Sequence, residues 1–302
     1  MLKFFFFLPL ILGISLPLQG QSAQVLQLRW RWKKSAPYFY QQTTLIQIRT
    51  KTKSEKGFSP LRKEEIRLVR DFSLRFLQRY SNGRTLLSLR VDRLRLLYKQ
   101  NELVQWKLDS KSPTGSLNSL QKKLAKKILS QAGKEWKVEL DDKGNLYQVQ
   151  TLSKKRWRPD REKKRELAFF FSILPQKDLT LGSEWSRLYR RKIGGIFVDI
   201  YRNFRVVEIQ PQGEQSVVKI ASYISAKPPW KRSPLLSRIQ PKLLASGGEG
   251  SVLFHRDGEL ISSAQTLRFL WHYRGRLADL PVDIRQEYLI KTEFRAQRVR
   301  KK

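Results

Sequence analysis

The chain contains no cysteine. This absence excludes disulfide bonds, thiolate metal sites and the acylated cysteine of a lipoprotein. Acidic residues are also scarce, with 26 Asp and Glu against 61 Lys and Arg, which gives a formal net charge of +35. Such a field attracts polyanions and anionic lipid headgroups but says nothing about fold. The basic residues are spread along the chain, so a general compositional bias explains the charge equally well, and we expect no specific nucleic-acid recognition.

Residues and motifs that carry catalysis are few. There are only two histidines, His255 and His272, whereas a stable metal site needs three or four ligands. No Gly-x-Ser-x-Gly motif is present, and the glycine-rich stretch at 247–250 precedes a predicted strand rather than a helix. The acidic pairs at 64–65 and 141–142 lie beside lysines at a strand start and a turn. We therefore expect no enzymatic activity, no metal and no cofactor.

One long apolar run stands at the N-terminus. Residues 1–3 are short and positive, residues 4–16 are apolar, and Pro17 is followed by small and polar residues through Ala23. This order predicts a secretory signal peptide over 1–23, cut after Ser22 or Ala23, with Gly20 as the alternative. A retained anchor is less favoured because the run is short for a span of about 20 residues. The expected location is the periplasm or cell envelope of a bacterium, with secretion as the alternative and peripheral membrane contact allowed.

Period-2 alternation dominates the rest of the chain and predicts half-buried strands. Ile66, Phe72 and Phe76 share one parity, and the turn signal Ser81-Asn82-Gly83 follows them. In the next run the apolar parity slips by one residue, which predicts a bulge near Asp92-Arg93. Further strands are predicted over 24–32, 38–50, 103–108, 135–140, 146–152, 184–192, 196–209, 216–226, 251–255, 259–273 and 283–298. The four prolines within 227–241 predict an irregular linker.

Two helices interrupt this pattern. Apolar residues at spacings of three and four predict the first helix between Ser116 and Gly133. The second is predicted from Arg161 to Ile173, ending before Pro175. A basic amphipathic helix can lie on a membrane, but we expect both helices to cover the sheet.

The predicted fold class is mainly β, a β-rich α+β protein with long curved antiparallel sheets in two related halves and two covering helices. The predicted organisation is a signal peptide (1–23), an N-terminal half with one helix (24–160) and a C-terminal half that begins with a helix (161–302). The halves carry similar turn motifs, Lys143-Gly144-Asn145-Leu146 and Asp257-Gly258-Glu259-Leu260.

The order of motifs also resembles a known family. A helix ending in Leu174-Pro175 precedes Gly182-Ser183-Glu184-Trp185, which opens the second half. This is similar to an uncharacterised family of exported bacterial β-rich proteins, in which a helix with Leu-Pro precedes a Gly-x-x-Trp segment. The resemblance implies an exported β protein, and it implies no activity and no functional residues.

The candidate ligand-binding residues combine an aromatic ring with neighbouring cations in predicted loops: Trp157, Arg158, Trp230, Lys231 and Arg232. Such groups stack on sugars, bases or headgroups, although ordinary exposed loop residues explain them equally well. The first functional hypothesis is an envelope module that binds an anionic lipid or amphiphile in a concave sheet. The alternative is a structural or interaction protein of the envelope that contacts a protein or an acidic polymer without a ligand cavity. The oligomeric state is left open.

Overall fold

The computed structural model describes residues 25–34, 37–54, 57–112, 125–126, 128–153, 156–193, 196–212, 215–227, 239–277 and 280–297. The predicted signal peptide therefore lies outside the described residues. So does most of the first predicted helix, of which residues 125, 126, 128 and 129 are helical.

Fourteen strands and one helix account for most of the described chain. The strands are β1 (Tyr38–Ser54), β2 (Gly57–Phe58), β3 (Arg62–Arg79), β4 (Thr85–Gln100), β5 (Leu103–Asp109), β6 (Glu135–Leu140), β7 (Leu146–Ser153), β8 (Arg156–Pro159), β9 (Glu184–Ile193), β10 (Ile196–Gln212), β11 (Gln215–Lys227), β12 (Ile239–His255), β13 (Leu260–Leu277) and β14 (Leu280–Gln297). Helix α1 (Arg161–Phe171) lies between β8 and β9. The mainly β fold class and the second predicted helix are thus confirmed.

All the strands belong to one antiparallel sheet. Its order is β8-β7-β6-β4-β3-β1-β14-β13-β12-β11-β10-β9, with β2 paired to β1 and β5 paired to β4. The first and last long strands, β1 and β14, pair over their length at the middle of this order. The register between β3 and β4 jumps from Asp71 opposite Arg93 to Phe72 opposite Val91. Asp92 is therefore the extra residue, which confirms the predicted bulge.

The sheet curls until its two halves meet on one side. Trp30 N donates to Asp142 O in the β6–β7 turn, and Arg31 N donates to Gly258 O in the β12–β13 turn. In a flat sheet these turns would be about 24 Å apart, because β6 and β13 are separated by five strand spacings of about 4.8 Å. Two adjacent residues can bridge them only because the sheet is strongly curved. We call the concave side of this sheet the inner face.

The N-terminal segment (residues 25–32) fills part of this concavity. Leu26, Leu28 and Trp30 are each at most 3% exposed, and the Trp30 indole packs edge-on against Phe171 and Phe254. The strand predicted over 24–32 is wrong, because within the described residues 25–32 only Leu26 makes a bridge, with Leu179. The alternation that suggested a strand is real, but it arises from core packing and not from a sheet ladder.

The strand predicted at 251–255 is also too short. Strand β12 begins at Ile239 and runs through Pro241 and the glycine stretch at 247–250. Glycine is required here because a Cβ at Gly248 would overlap Thr266 O of the neighbouring strand. Gly248 and Gly250 therefore allow a close approach within a strand, and the glycine stretch does not mark its start.

Candidate functional site

A row of polar residues crosses the inner face between two apolar clusters. Gln42 of β1 pairs with Arg70 of β3 on one side and with Phe294 of β14 on the other. Two residues away along β14, Thr292 pairs with Gln265 of β13. Paired residues in an antiparallel sheet project from the same face, so these side chains form one belt. The polar belt consists of Gln42, Arg70, Arg202, Ser222, Ser263, Gln265 and Thr292.

The glycine at position 250 makes room for part of this belt. Gly250 pairs with Gln265 on one side and with Ser222 on the other. An added Cβ at Gly250 would lie 3.0 Å from Ser222 Oγ and 3.1 Å from Gln265 Cβ. The same Cβ would lie 2.7 Å from the backbone oxygen of Ala264, so a larger residue would disturb the strand pairing as well as these two side chains.

Helix α1 lies across the belt and adds charged groups to it. The helix begins at the N-cap Asp160, whose carboxylate accepts a hydrogen bond from Lys163 N at 2.8 Å. One turn later, Glu166 accepts from Lys163 Nζ at 3.0 Å and from Arg70 Nη1 at 2.8 Å. Burial alone would raise the pKa of Glu166, but Lys163 and Arg70 hold it at about 2. Glu166 is therefore a carboxylate already committed to two cations.

Arg202 of β10 is a buried charge with little compensation. Its side chain is 1% exposed, and its Nε donates to Ser222 Oγ at 3.0 Å. Its guanidinium lies 4.6 Å from the ring centroid of Phe204 and 5.4 Å from that of Phe169. Its Nη2 is buried and has no hydrogen-bond partner. Burial lowers the pKa of Arg202 to about 10, so it stays protonated at neutral pH.

A second guanidinium lies at the same aromatic ring. Arg191 of β9 is 4.7 Å from the ring centroid of Phe169, and burial lowers its pKa while Glu166 opposes that shift. Among the described residues, no carboxylate lies within ion-pair distance of Arg191 or Arg202. The carboxylate of Glu166 forms its ion pairs with Lys163 and Arg70. The two arginines therefore lack a counter-ion of their own.

Two small cavities adjoin these groups. The cationic cavity has a volume of about 50 Å³, and its polar lining is Gln42, Glu166, Arg191, Arg202, Ser263, Gln265 and Thr292. The apolar cavity has a volume of about 40 Å³ and is lined chiefly by Phe72, Leu74, Leu89, Leu167, Phe170 and Phe294. Gln42, Glu166, Phe170 and Phe294 line both. The cationic cavity and the apolar cavity are therefore adjacent, and these four residues form the wall between them.

A larger hollow lies elsewhere on the sheet. It has a volume of about 820 Å³ and is lined by Tyr223, Thr266, Arg268 and the glycine stretch of β12, among others. Thr266 and Arg268 have the parity opposite to the buried Leu267 and Phe269, so this hollow opens mainly on the outer face. It contains no unpartnered charge comparable to that of Arg202, and the inner cavities are therefore the better candidate site.

Trp157 and Arg158, the predicted ligand-binding residues that the structure describes, do not line the inner cavities. Trp157 and Arg158 lie in strand β8, not in the loop predicted for them, and Lys137 Nζ lies 4.5 Å from the Trp157 ring centroid. Lys137 alternates with the buried Trp136 and Val138, which places this contact on the outer face. Trp230, Lys231 and Arg232 lie outside the described residues.

The site that sequence reasoning missed has a recognisable signal. Arg202 occupies an inward position between Ile200 and Phe204, both of which are buried. A cation at an inward position of an apolar strand is unusual, because charged side chains are seldom fully buried without a partner. Arg70 shows the same departure from the pattern between Leu68 and Phe72 of β3.

The described residues offer neither a clustered set of metal ligands nor a membrane-spanning helix. Within the ranges described above, no group of three or more histidine, aspartate or glutamate side chains is arranged to hold a metal ion. In the same part of the chain, no helix has the length and apolar character needed to cross a membrane.

Comparisons with known proteins add little. No protein-family model matches the chain, and no curated protein matches it. Among solved structures, an outer membrane channel from Pseudomonas putida F1 aligns over 92% of this chain and 98% of its own, with 10% identity and a TM-score of 0.22. OccK7 (OpdD) from Pseudomonas aeruginosa aligns over 87% of this chain and 100% of its own, with 8% identity and a TM-score of 0.20. At these scores the alignments carry no argument about fold or function.

Proposed function

We propose that this chain is an exported protein of the bacterial cell envelope that binds an anionic lipid or amphiphile at the inner face of its sheet. The observation that carries the proposal is the wall shared by the cationic and apolar cavities. An amphiphile has the same arrangement, an acidic group joined directly to an apolar tail.

The electrostatics favour an anionic ligand over a neutral one. Arg191 and Arg202 lack a carboxylate partner among the described residues, and an acidic head group would supply the missing charge. The surrounding field acts in the same direction, since the whole chain carries a formal charge of +35. Export supports the same ligand class, because envelope lipids are the amphiphiles that an exported protein meets.

The size of the cavities limits how much of the ligand can bind without rearrangement. About 50 Å³ and about 40 Å³ accommodate a head group and the start of a tail. A longer chain requires movement of Phe170, the α1 side chain that lines both cavities and whose ring centroid lies 4.0 Å from that of Phe294. The proposal therefore includes a displacement of Phe170 when a full-length amphiphile binds.

The test is calorimetric titration of delipidated protein with dodecyl phosphate below its micelle concentration. Dodecyl maltoside, which has the same tail and a neutral head, serves as the matched ligand control. We expect saturable binding of the phosphate and much weaker binding of the maltoside. Equal binding of the two, or no saturable binding of either, contradicts the proposal.

A second candidate function is a contact with another envelope protein, and one specific observation favours it. Leu188 of β9 and Tyr201 of β10 are register partners on the outer face, and they are 59% and 37% exposed. Tyr223 of β11 is 64% exposed nearby, so apolar surface gathers beside the edge strand β9. Exposed apolar patches often mark interaction sites.

Photo-crosslinking in the intact envelope tests this second candidate. A photoreactive residue at position 188 is expected to give a discrete crosslinked species, and the same residue at the exposed position 75 of β3 serves as the control. Identical crosslinking patterns at both positions would remove the reason to regard this patch as an interface.

A further inference from the structure

The structure assigns a binding site for a phosphate-class anion to the cationic cavity. Arg191 and Arg202 are the binding residues, and Ser222 is a positioning residue. This inference rests on the proposed function and names the chemistry of the head group. The shared chemistry is a phosphate monoester or inorganic phosphate, and the experiment below distinguishes the two sources.

Arg202 carries a buried hydrogen-bond donor that has no partner. Arg202 is 1% exposed, and its Nη2 is buried without a hydrogen-bond partner although Nε is held by Ser222 Oγ at 3.0 Å. A buried charge without a partner is costly unless something supplies the missing acceptor. The Ser222 contact fixes the guanidinium plane, so the free edge of Arg202 has a defined orientation at the cavity that it lines.

Two cationic side chains lie close together at the cavity. The guanidinium groups of Arg191 and Arg202 both lie within 5.4 Å of the Phe169 ring centroid, and both residues line the cationic cavity. Two guanidinium groups without carboxylate partners present several N–H donors to one cavity, which is an arrangement that suits phosphate oxygens. Phe169 itself is held edge-on against Tyr189 with ring centroids 4.9 Å apart, so its position is also fixed.

The lining of the cationic cavity also contains neutral polar groups. Ser263, Thr292 and Gln42 offer further hydroxyl and amide donors, and Gln265 Oε1 is a buried acceptor without a partner. A carboxylate can only accept hydrogen bonds, whereas a monoprotonated phosphate also donates one, which Gln265 Oε1 can accept. The volume of about 50 Å³ exceeds the 10–15 Å³ or so needed for one water, and it suits a group of phosphate size.

The experiment measures the binding of inorganic phosphate and of dodecyl phosphate to the wild type and to Arg202→Met, at constant ionic strength. Arg75→Met removes the same charge from an exposed position and serves as the control. We expect the Kd for both ligands to rise about 10- to 100-fold in Arg202→Met, which corresponds to the loss of a charged hydrogen bond. Arg75→Met should bind both ligands as the wild type does. Arg202→Lys, which keeps the charge and loses the planar fork, should be intermediate.

The outcomes separate the site from the function. If dodecyl phosphate binds the wild type and Arg202→Met equally, the anion site is wrong while the amphiphile function stands. If inorganic phosphate binds in an Arg202-dependent way and the dodecyl tail adds no affinity, the anion site stands and the amphiphile function fails. If neither ligand binds the wild type, the cavity holds only water and the inference is overturned. A cooperative thermal unfolding transition without ligand identifies variants that are folded.

Discussion

Replacing Arg202 by methionine is expected to stabilise the ligand-free protein while it removes anion binding. Methionine keeps most of the apolar stem of the arginine and removes a guanidinium that is 1% exposed and has no carboxylate partner among the described residues. Most core substitutions destabilise a protein by about 0.5–3 kcal/mol. A gain in stability at a fully buried position would therefore be a specific sign that the arginine is retained for a ligand.

The expected change in the free energy of unfolding combines one stabilising term and two destabilising terms. Removing the charge recovers a desolvation penalty of several kcal/mol. Against this gain, the variant loses the hydrogen bond to Ser222, worth about 1.5–3 kcal/mol for a charged donor, and contacts with the rings of Phe169 and Phe204, worth about 0.5–2 kcal/mol each. The net change is small, and replacements of buried charges that gave about 1–4 kcal/mol set its upper end. We expect a gain of about 1–2 kcal/mol, or about 2–6 °C in Tm.

The single variant leaves the Ser222 hydroxyl buried without its partner, so Arg202→Met/Ser222→Ala is the cleaner test. The assay is urea and thermal unfolding of delipidated protein, with Arg75→Met as the control for net charge. With dodecyl phosphate present at saturation, the order should reverse, because only the wild type gains binding free energy. A loss of about 0.5 kcal/mol or more in the ligand-free double variant, which is what a typical core substitution costs, would refute the reasoning.

Two further predictions concern α1 and the turns at the end of the sheet. Glu166→Gln leaves Lys163 buried without its carboxylate. The Glu166 side chain is 35% exposed, so solvent screens the pair, and we expect the free energy of unfolding in urea to fall by only about 1–3 kcal/mol. The pKa of Glu166 is depressed from 4.5 to about 2, so its contribution is present above about pH 4.5 and is lost as the pH falls towards 2. The wild type should therefore lose more Tm than Glu166→Gln over that range, and parallel losses would contradict the assignment. Gly144→Ala should destabilise far more than Gly83→Ala, measured by thermal unfolding. The two glycines have φ near +80°, but only at Gly144 would a Cβ overlap Phe171 O and lie 2.6 Å from Trp30 Nε1. Equal Tm losses would show that backbone strain alone decides the effect.

Much of the sheet can be predicted from sequence, because alternation and turn residues are local signals. The β3–β4 hairpin, its bulge at Asp92 and the β6–β7 hairpin all follow from spacing within a few residues. The N-terminal segment shows where this reasoning fails. Leu26, Leu28 and Trp30 alternate like a strand, but their partners are core side chains that the curved sheet brings together.

The matching turn motifs of the two halves have a role that spacing alone does not reveal. A Cβ at Gly144 would overlap Phe171 O, and a Cβ at Gly258 would overlap Arg29 O and lie 2.8 Å from Arg31 N. Both glycines thus allow a turn to approach the chain that fills the concavity. Their similarity was visible in the sequence, but their meeting point depends on the curvature of the whole sheet.

The candidate site could be predicted only in part. The inward position of Arg202 in an apolar strand is visible in the sequence, but its lack of a counter-ion depends on where α1 places Glu166. The charge of Glu166 is already shared between Lys163 and Arg70, and that arrangement joins a helix to a strand residue 96 positions earlier in the chain. Loop residues with aromatic and basic side chains gave a stronger sequence signal, yet Trp157 and Arg158 lie away from both inner cavities.

Native mass spectrometry of protein purified from its own envelope shows whether an anionic amphiphile is bound through Arg202. We expect the wild type and Arg75→Met to carry a bound phosphorus-containing amphiphile of defined mass, and Arg202→Met to be recovered folded with little or none of it. An adduct of the same mass and occupancy on Arg202→Met, or a wild type that carries no ligand under conditions that preserve non-covalent complexes, would contradict the account.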